Sequence, residues 1–205
     1  MIVIVDYRMG NLGSIANILR KVGAEAVLSR DADVIETATK LILPGVGAFD
    51  EGMRNIGALG LREALDRRAV RDRVPTLGIC LGMQLMARRS EEGDSAGLGW
   101  LAADVKRFRF GTGHSQLKVP HMGWNTVKPE KQSPLFDRFV ESPRFYFVHS
   151  YHVACDDAGD VLATASYGGE FTAAFQRGNL LGVQFHPEKS HKFGITLFRN
   201  FVENF

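Results

Sequence analysis

TLGICLG, at residues 76–82, joins a short apolar segment to a helical pattern through the motif G-x-C-x-G. The pattern predicts a buried strand at 76–79 and a helix at 81–89. So sharp a strand-to-helix turn strains the backbone of its central residue, and flanking glycines remove the Cβ atoms that would collide there. Cys80 would then project its thiol above the strand end, where the helix dipole favours the thiolate. The motif predicts either a nucleophile or, as for most free cysteines, a small buried hydrophobe.

The segments around this turn predict an α/β fold. Strands are predicted at residues 2–6, 26–28 and 41–43, and helices at 11–22, 49–57 and 60–69. Their alternation indicates a mostly parallel central sheet flanked by helices. The second half is richer in strand patterns, at 100–110, 123–127, 144–153, 161–165, 172–176 and 180–185, and ends in a helix at 191–203. No Pro/Ser/Gly-rich linker divides the halves, so residues 1–205 are expected to form a single domain.

Composition excludes several classes of protein. Of 205 residues, 45% are hydrophobic and 23% are charged, which is typical of a globular protein with a real core. The formal net charge of +2 gives no reason to expect a nucleic-acid or membrane partner. Two cysteines exclude a disulfide scaffold, so a cytoplasmic chain with free thiols is expected, in which Cys155 is structural. The sequence shows no signal peptide, membrane span or nucleotide-binding P-loop pattern.

His186 is the candidate base for a Cys80 nucleophile. It lies in Gln184-Phe185-His186-Pro187-Glu188, at the C-terminal end of the predicted strand at 180–185, and such strand ends form the ligand-binding edge of open α/β sheets. Pro187 fixes the backbone after the histidine. Glu188 is close enough to accept a hydrogen bond from one ring nitrogen, which leaves the other free to face the thiol.

The remaining histidines do not form a recognisable site. His149 and His152 are three residues apart in one predicted strand, so they are expected to point to opposite faces and not to share a metal. His114, His121 and His191 lie in polar or turn-rich stretches. No Cys/His cluster has zinc-ligand spacing, so neither a metal nor a cofactor is expected.

The loop Pro44-Gly45-Val46-Gly47 ends the predicted strand at 41–43. Attack on a carbonyl creates an oxyanion, which backbone N–H groups of such a loop, together with the N–H of Leu81, can bind. Taken alone, the loop is equally typical of an ordinary strand-to-helix turn.

Several motifs, in the same order along the chain, resemble those of the class I (triad) glutamine amidotransferases. They are PGVG at 44–47, GICLGMQ at 78–84 and FHPEKS at 185–190. Within this family the chain is most similar to the glutaminase subunits of imidazole glycerol phosphate synthase, because of DY at 6–7, MGN at 9–11, PHMGWN at 120–125 and YFVH at 146–149. The resemblance covers nearly the whole chain and implies the class I glutamine amidotransferase fold.

The resemblance also implies a role for each matching residue. Cys80 would attack the side-chain amide of glutamine, His186 would transfer protons, and Glu188 would orient His186. Water would then hydrolyse the glutamyl thioester to glutamate. The remaining matching positions surround the substrate, and they are Gln84 and Glu92 for glutamine and Gly45, Val46, Gly47 and Leu81 for the oxyanion.

A partner subunit is expected as well. Val46 is β-branched and resists the peptide flip that glycine allows, so the isolated chain is expected to have low glutaminase activity. The family fold should be complete within 205 residues, which leaves nothing to use the ammonia. The resemblance implies a heterodimer with a (β/α)8 cyclase. That cyclase makes imidazole glycerol phosphate and an aminoimidazole carboxamide ribonucleotide in histidine biosynthesis. Positions matching the interface are Asn11, His121, Trp124, Tyr146 and Lys189, with core packing as the alternative for Trp124 and Tyr146.

Two features depart from the histidine-pathway branch. Arg8 stands where the motif usually has glycine, and Ser190-His191-Lys192-Phe193-Gly194 is more similar to a paralogous branch. That branch supplies ammonia to an amidotransferase acting on surface-polysaccharide sugars. The residues also leave open a cysteine peptidase, which would ignore free glutamine, and a catalytically silent binding module.

Overall fold

The computed structural model describes residues 1–111 and 116–205, so His114 lies outside the described residues. The strands, in chain order, are β1 (Ile2–Val5), β2 (Ala26–Ser29), β3 (Lys40–Leu43), β4 (Thr76–Ile79), β5 (Ala103–Arg107), β6 (His121–Thr126), β7 (Lys128–Pro129), β8 (Arg144–His149), β9 (Tyr151–Cys155), β10 (Val161–Ser166), β11 (Glu170–Arg177) and β12 (Leu180–Val183). The α-helices are α1 (Leu12–Lys21), α2 (Ala32–Glu36), α3 (Phe49–Ala58), α4 (Arg62–Asp66), α5 (Leu81–Leu85) and α6 (His191–Asn204). None of the helices in these ranges combines the length and the apolar composition of a membrane span.

The central sheet has eight strands in the order β2-β1-β3-β4-β12-β11-β10-β7. Neighbours from β2 to β12 pair in parallel, and those from β12 to β7 pair antiparallel. Two smaller pairs, β5 with β9 and β6 with β8, lie outside it. The predicted α/β architecture with a mostly parallel sheet and a β-rich second half is confirmed.

The apolar strands are buried on both faces, as their continuous hydrophobic runs predict. Along β1, Ile4 packs into the core beneath α1 and α6, whereas Val3 and Val5 pack into the core beneath α2 to α5. This alternation follows from the two-residue period of a strand and places helices on both sides of the sheet.

Helix α5 ends at Leu85, four residues before the predicted end at 89. The backbone N–H of Leu98 donates to the carbonyl of Leu85 at 2.7 Å, and that of Trp100 donates to the carbonyl of Met86 at 2.9 Å. These bonds, made by a segment distant in the sequence, take the carbonyls that a longer helix would use.

The predicted strand at 144–153 is two strands, because the strand is interrupted at Ser150 between β8 and β9. The carbonyl of Ser150 accepts from the N–H of Phe108, and the two strands pair with different partners. The prediction that His149 and His152 face opposite ways is therefore wrong. Their ring centroids lie 5.1 and 4.8 Å from that of Phe108.

Strands β1, β3, β4 and β12 are parallel neighbours, so their C-terminal ends meet at one edge of the sheet. At this edge the N–H of Cys80 donates to the carbonyl of Val183 at 2.8 Å, which ties the G-x-C-x-G turn to the end of β12. The candidate site is built on this edge.

Candidate active site

Cys80 has the strained backbone that the turn predicts, with φ of 51° and ψ of −109°. A Cβ on Gly78 would lie 2.7 Å from the backbone of Met83, and one on Gly82 would lie 1.8 Å from the carbonyl oxygen of Leu43. Only glycine fits at both places, so the sharp turn between β4 and α5 depends on this pair. The side chain of Cys80 ends in the cavity described below.

His186 and Glu188 form a buried pair at the end of β12. Nδ1 of His186 lies 2.8 Å from Oε1 of Glu188, and the two side chains are 1% and 2% exposed. The turn Pro187–Lys189 brings the carboxylate back beneath the ring two residues later. The backbone of His186 is held by β8, because its N–H donates to the carbonyl of Tyr146 at 2.9 Å.

The second nitrogen of the ring, Nε2, has no hydrogen-bond partner among the described residues and is buried. Burial acts to lower the pKa of His186, but the neighbouring Cys80 sulfur and the Glu188 carboxylate outweigh burial and raise it to about 10. Glu188 therefore fixes Nδ1, and Nε2 is the nitrogen available to exchange a proton with the sulfur or with a bound molecule.

A cavity of about 250 Å³ opens beside the sulfur. Its lining residues are Val46, Gly47, Cys80, Leu81, Gln84, Glu92, Pro120, Val148, His149, Ser150, Tyr151 and His186. Most residues predicted for catalysis and substrate binding thus meet around one space.

The two predicted glutamine-binding side chains are held by specific hydrogen bonds. The amide nitrogen of Gln84 donates to the carbonyl of Tyr151 and to Oε1 of Gln184, each at 3.0 Å. Oε2 of Glu92 accepts from the N–H of Phe49, the first residue of α3, at 2.9 Å. The amide oxygen of Gln84 has no hydrogen-bond partner among the described residues and remains an acceptor, and Glu92 brings a negative charge to the cavity wall.

The loop Pro44-Gly45-Val46-Gly47 packs directly on the turn at Cys80. A Cβ on Gly45 would lie 2.7 Å from Cβ of Leu81 and 2.5 Å from the hydroxyl oxygen of Tyr7. Gly47 has a φ of 127°, which favours glycine, and Val46 is 47% exposed. Gly45 lines no part of the cavity itself but sets the close contact that places the loop at the cavity wall.

Two buried polar residues at the site were not identified from the sequence. The hydroxyl of Tyr7 donates to the carbonyl of Pro44, and burial raises the Tyr7 pKa, with the nearby Cys80 adding to the effect. The amide nitrogen of Gln184 lies 3.6 Å from the sulfur of Cys80. Position was one signal, since Tyr7 follows a predicted strand and Gln184 is the next-to-last residue of another at the same sheet edge, and Tyr7 also belongs to the motif DY at 6–7.

Three of the residues predicted for a partner interface lie together beside the cavity. Trp124 and Tyr146 are directly paired across β6 and β8, and Lys189 lies over the Tyr146 ring at 5.9 Å. The ring of His191 stacks on Trp124, with centroids 5.5 Å apart. With Met122, which is 62% exposed, these residues form what we call the hairpin face.

The remaining two predicted interface residues lie elsewhere. Asn11 is exposed and directly precedes α1. His121 is only 3% exposed, because it points to the opposite side of β6 from Met122 and Trp124. It packs against Phe147 and Tyr167 instead, with centroid distances of 4.8 and 4.1 Å.

Comparison with known proteins gives a consistent picture. The family model "Glutamine amidotransferase class-I" matches residues 3–205. The chain is 50% identical over 203 residues to proteins of Methanococcus maripaludis and Pseudomonas aeruginosa, each named "Imidazole glycerol phosphate synthase subunit HisH 2", covering 99% of both chains in each case. It is 48% identical to "Imidazole glycerol phosphate synthase subunit HisH" of Bdellovibrio bacteriovorus, covering 99% of this chain and 100% of that protein.

Solved structures show the same fold at low sequence identity. A crystal structure of a glutamine amidotransferase matches with a TM-score of 0.75 and 23% identity, over 98% of this chain and 97% of that one. A glutamine amidotransferase of Thermotoga maritima matches with a TM-score of 0.70 and 17% identity, over 98% of this chain and 96% of that one.

Proposed function

The chain belongs to the class I glutamine amidotransferases, and we propose that it is the glutaminase subunit of an imidazole glycerol phosphate synthase. In this proposal it hydrolyses glutamine to glutamate and ammonia, and a partner subunit uses the ammonia in histidine biosynthesis. The observation that carries the chemistry is the strained Cys80, which shares one cavity with His186, whose ring is paired with the buried Glu188. The pathway is supported by full-length relatives at 48–50% identity that are named as subunits of that synthase.

The reaction begins with Cys80 as a thiolate and His186 as an imidazolium. The sulfur attacks the side-chain carbonyl carbon of glutamine, and the oxyanion is bound by the N–H of Leu81 and by the loop that carries Val46. His186 gives the proton on Nε2 to the amide nitrogen, which leaves as ammonia. Glu188 stabilises the imidazolium before the transfer and keeps the proton of the neutral ring on Nδ1 afterwards.

Deacylation uses the same groups in reverse. His186, now neutral at Nε2, takes a proton from water, and the resulting hydroxide attacks the glutamyl thioester carbon. The carbon–sulfur bond breaks, glutamate leaves, and the thiolate–imidazolium pair is restored. The net change is glutamine plus water to glutamate plus ammonia, which needs neither a metal nor a cofactor.

The cavity offers recognition for both ends of glutamine. The negative charge of Glu92 suits the α-ammonium group of the substrate, and the free amide oxygen of Gln84 is an acceptor for substrate N–H groups. Because both side chains are fixed by hydrogen bonds to the protein, the substrate is received by groups that need no further ordering.

The hairpin face is our proposed docking site for the synthase. Met122 and Trp124 are large hydrophobic side chains that are 62% and 42% exposed, next to Pro120 and Val148 at the cavity wall. An apolar face that adjoins a cavity releasing ammonia fits a partner that must cover the exit, since free ammonia is mostly protonated in water. We propose that this partner is a (β/α)8 cyclase, that the chain acts with it as a single-domain subunit of a heterodimer, and that both are cytoplasmic.

A second candidate function shares the chemistry and differs in the partner. The stacking of His191 on Trp124 places a residue of the divergent segment 190–194 on the hairpin face itself. This contact favours a different docking surface, as in the paralogous branch that supplies ammonia for surface-polysaccharide sugars.

Glutamate release tests the proposed chemistry. Glutamine is incubated with the chain, alone and with a barrel cyclase and its ribonucleotide substrate. We expect little glutamate from the chain alone and a large increase with the partner. Cys80→Ala should abolish release, whereas Cys155→Ala, at the second free cysteine, should not. Glutamate formation by Cys80→Ala would disprove the nucleophile assignment, and full activity of the isolated chain would disprove the need for a partner.

Co-purification tests the pathway. The tagged chain is isolated from its source cells and its bound proteins are identified. Recovery of a barrel cyclase would support the histidine pathway, and recovery of a sugar amidotransferase would support the second candidate instead.

A further inference from the structure

A chain of buried and partly buried hydrogen bonds runs from the inner side of β6 to the sulfur of Cys80. Its members are Asn125, His121, His149, the carbonyl of Tyr151, Gln84 and Gln184. The mechanism above uses Gln84 alone among these, and only for substrate.

The carbonyl of Tyr151 sets the direction of every bond in the chain. A carbonyl only accepts, so Nδ1 of His149, 2.8 Å away, must carry a proton and donate it. Nε2 of the neutral ring is then an acceptor, and it takes the proton on Nδ1 of His121 at 2.9 Å. The remaining Nε2 of His121 accepts in turn from the amide of Asn125 at 3.4 Å. One tautomer of each ring is therefore specified.

The same carbonyl fixes the two glutamine amides on its other side. The group of Gln84 that faces Tyr151 must be its NH₂, whose second hydrogen then points to Gln184. Gln184 must accept this hydrogen bond with its amide oxygen. Its own NH₂ then faces the sulfur of Cys80 at 3.6 Å. Gln184 is fully buried, so no water competes for this orientation.

Burial keeps both rings neutral, as this pattern requires. It lowers the pKa of His149 to about 3 and that of His121 to about 4. Both rings are also enclosed by aromatic neighbours, His121 by Phe147 and Tyr167 and His149 by Phe108.

We propose that Gln184 is a catalytic residue that directs an amide hydrogen at the Cys80 sulfur and stabilises its negative charge, and that His149 is a positioning residue that holds in place the Tyr151 carbonyl on which this orientation depends. The inference deepens the proposed glutaminase function and rests on it for the role of the sulfur. A donor aimed at a thiolate favours the charged form, and the structure keeps this donor in place before any substrate arrives.

The first test measures alkylation of Cys80 by iodoacetamide at pH 7, with the modified cysteine located by peptide mass spectrometry. Gln184→Met keeps the size of the side chain and removes the donor. We expect its Cys80 to react roughly tenfold more slowly, the effect of one lost hydrogen bond to a charged group. Gln176→Met, the same change on β11, is the matched control and should react like the wild type. A rate for Gln184→Met within twofold of the wild type would overturn the proposal.

The second test separates positioning from packing and stands even if Gln184→Met fails to fold. His149→Phe keeps an aromatic ring but donates nothing to Tyr151, whereas an asparagine amide can replace Nδ1. We expect His149→Phe to slow alkylation and His149→Asn to restore most of the rate. His152→Phe, in the same aromatic cluster but outside the chain of hydrogen bonds, should have no effect. Equal rates for His149→Phe and His152→Phe would refute the role of His149.

These outcomes do not depend on whether the proposed glutaminase function is correct, because alkylation of Cys80 needs no turnover. A protein whose variants behave as expected but which releases no glutamate with any partner would refute the glutaminase function alone. In an active enzyme, Gln184→Met should lower kcat and leave the KM for glutamine within about twofold, since Gln184 does not line the cavity.

Discussion

Glu188→Gln is the substitution that tests the buried pair most directly, because it removes one charge and leaves the size of the side chain unchanged. In the wild type, Oε1 accepts from His186 at 2.8 Å, and Oε2 is buried with no partner among the described residues. A glutamine here has two orientations. Its NH₂ either faces Nδ1 and forces the proton of His186 onto Nε2, or it takes the place of Oε2 and is buried unpaired.

Both orientations are costly. The first gives the tautomer that cannot take a proton at Nε2, and the second leaves a buried donor unsatisfied at a cost of about 1–3 kcal/mol. Loss of the carboxylate also removes the charge that stabilises the imidazolium. We expect the glutaminase kcat measured with the partner to fall on the order of 10²–10⁴-fold, as when the orienting acid of a catalytic triad is replaced by its amide.

The same substitution should change how stability depends on pH. Because the pKa of His186 is raised from 6.5 to about 10, its contribution to folding is complete below pH 6.5 and is lost as the pH rises towards about 10. Without Glu188 the raised pKa falls, so less of this contribution exists to be lost. The difference in unfolding free energy between wild type and Glu188→Gln should therefore be largest below about pH 6.5 and shrink towards pH 10.

Two assays decide the matter, namely glutamate release with the partner and urea unfolding at pH 6, 8 and 9.5. Glu203→Gln, on α6 in a half-exposed ion pair with Arg138, is the matched control and should leave both properties unchanged. The reasoning would be refuted if Glu188→Gln kept more than about a tenth of the wild-type kcat. A stability difference that grew towards alkaline pH would refute the linkage argument.

Three more predictions follow from backbone geometry. Arg8 has a φ of 67°, so Arg8→Gly should raise the free energy of unfolding by about 0.5–1 kcal/mol. Arg54→Gly, inside α3, should instead lower it by about 1 kcal/mol, and changes of the same sign for both variants in urea unfolding would contradict this reasoning. Gly82→Ala places a Cβ 1.8 Å from the carbonyl oxygen of Leu43, so it should cost about 1–3 kcal/mol and slow Cys80 alkylation, and wild-type values for both would show that the turn can relax. Val46→Gly should raise the glutaminase activity of the isolated chain several-fold because its peptide turns more easily, and unchanged activity would remove Val46 as the cause of low basal activity.

The sequence predicted those parts of the site that depend on strand ends. Cys80, His186 and the loop at 44–47 each follow a run of apolar residues, and parallel strands bring such ends to one edge. Glu188 was predictable because it is two residues from its partner and a proline fixes the turn between them. Local patterns were sufficient for these residues.

Features that depend on contacts between distant segments could not be predicted from local patterns. The break at Ser150 depends on Phe108, and the early end of α5 depends on the backbone at Leu98 and Trp100. The orientation of Gln184 depends on Tyr151, which is far from it in the sequence. His121 was expected at an interface because a motif carries it, yet the two-residue period of β6 turns its side chain inwards.

The stacking of His191 on Trp124 also makes the fluorescence of this tryptophan sensitive to what binds the hairpin face. The chain has two tryptophans, and the second, Trp100, is held by a hydrogen bond from its indole nitrogen to Asp66 at 2.6 Å, in a different part of the fold. A partner that covers the hairpin face must change the solvent and the ring contacts around Trp124 while leaving Trp100 as an internal reference. Binding of any partner to this face should therefore be measurable from intrinsic fluorescence, with no dye attached and no turnover required.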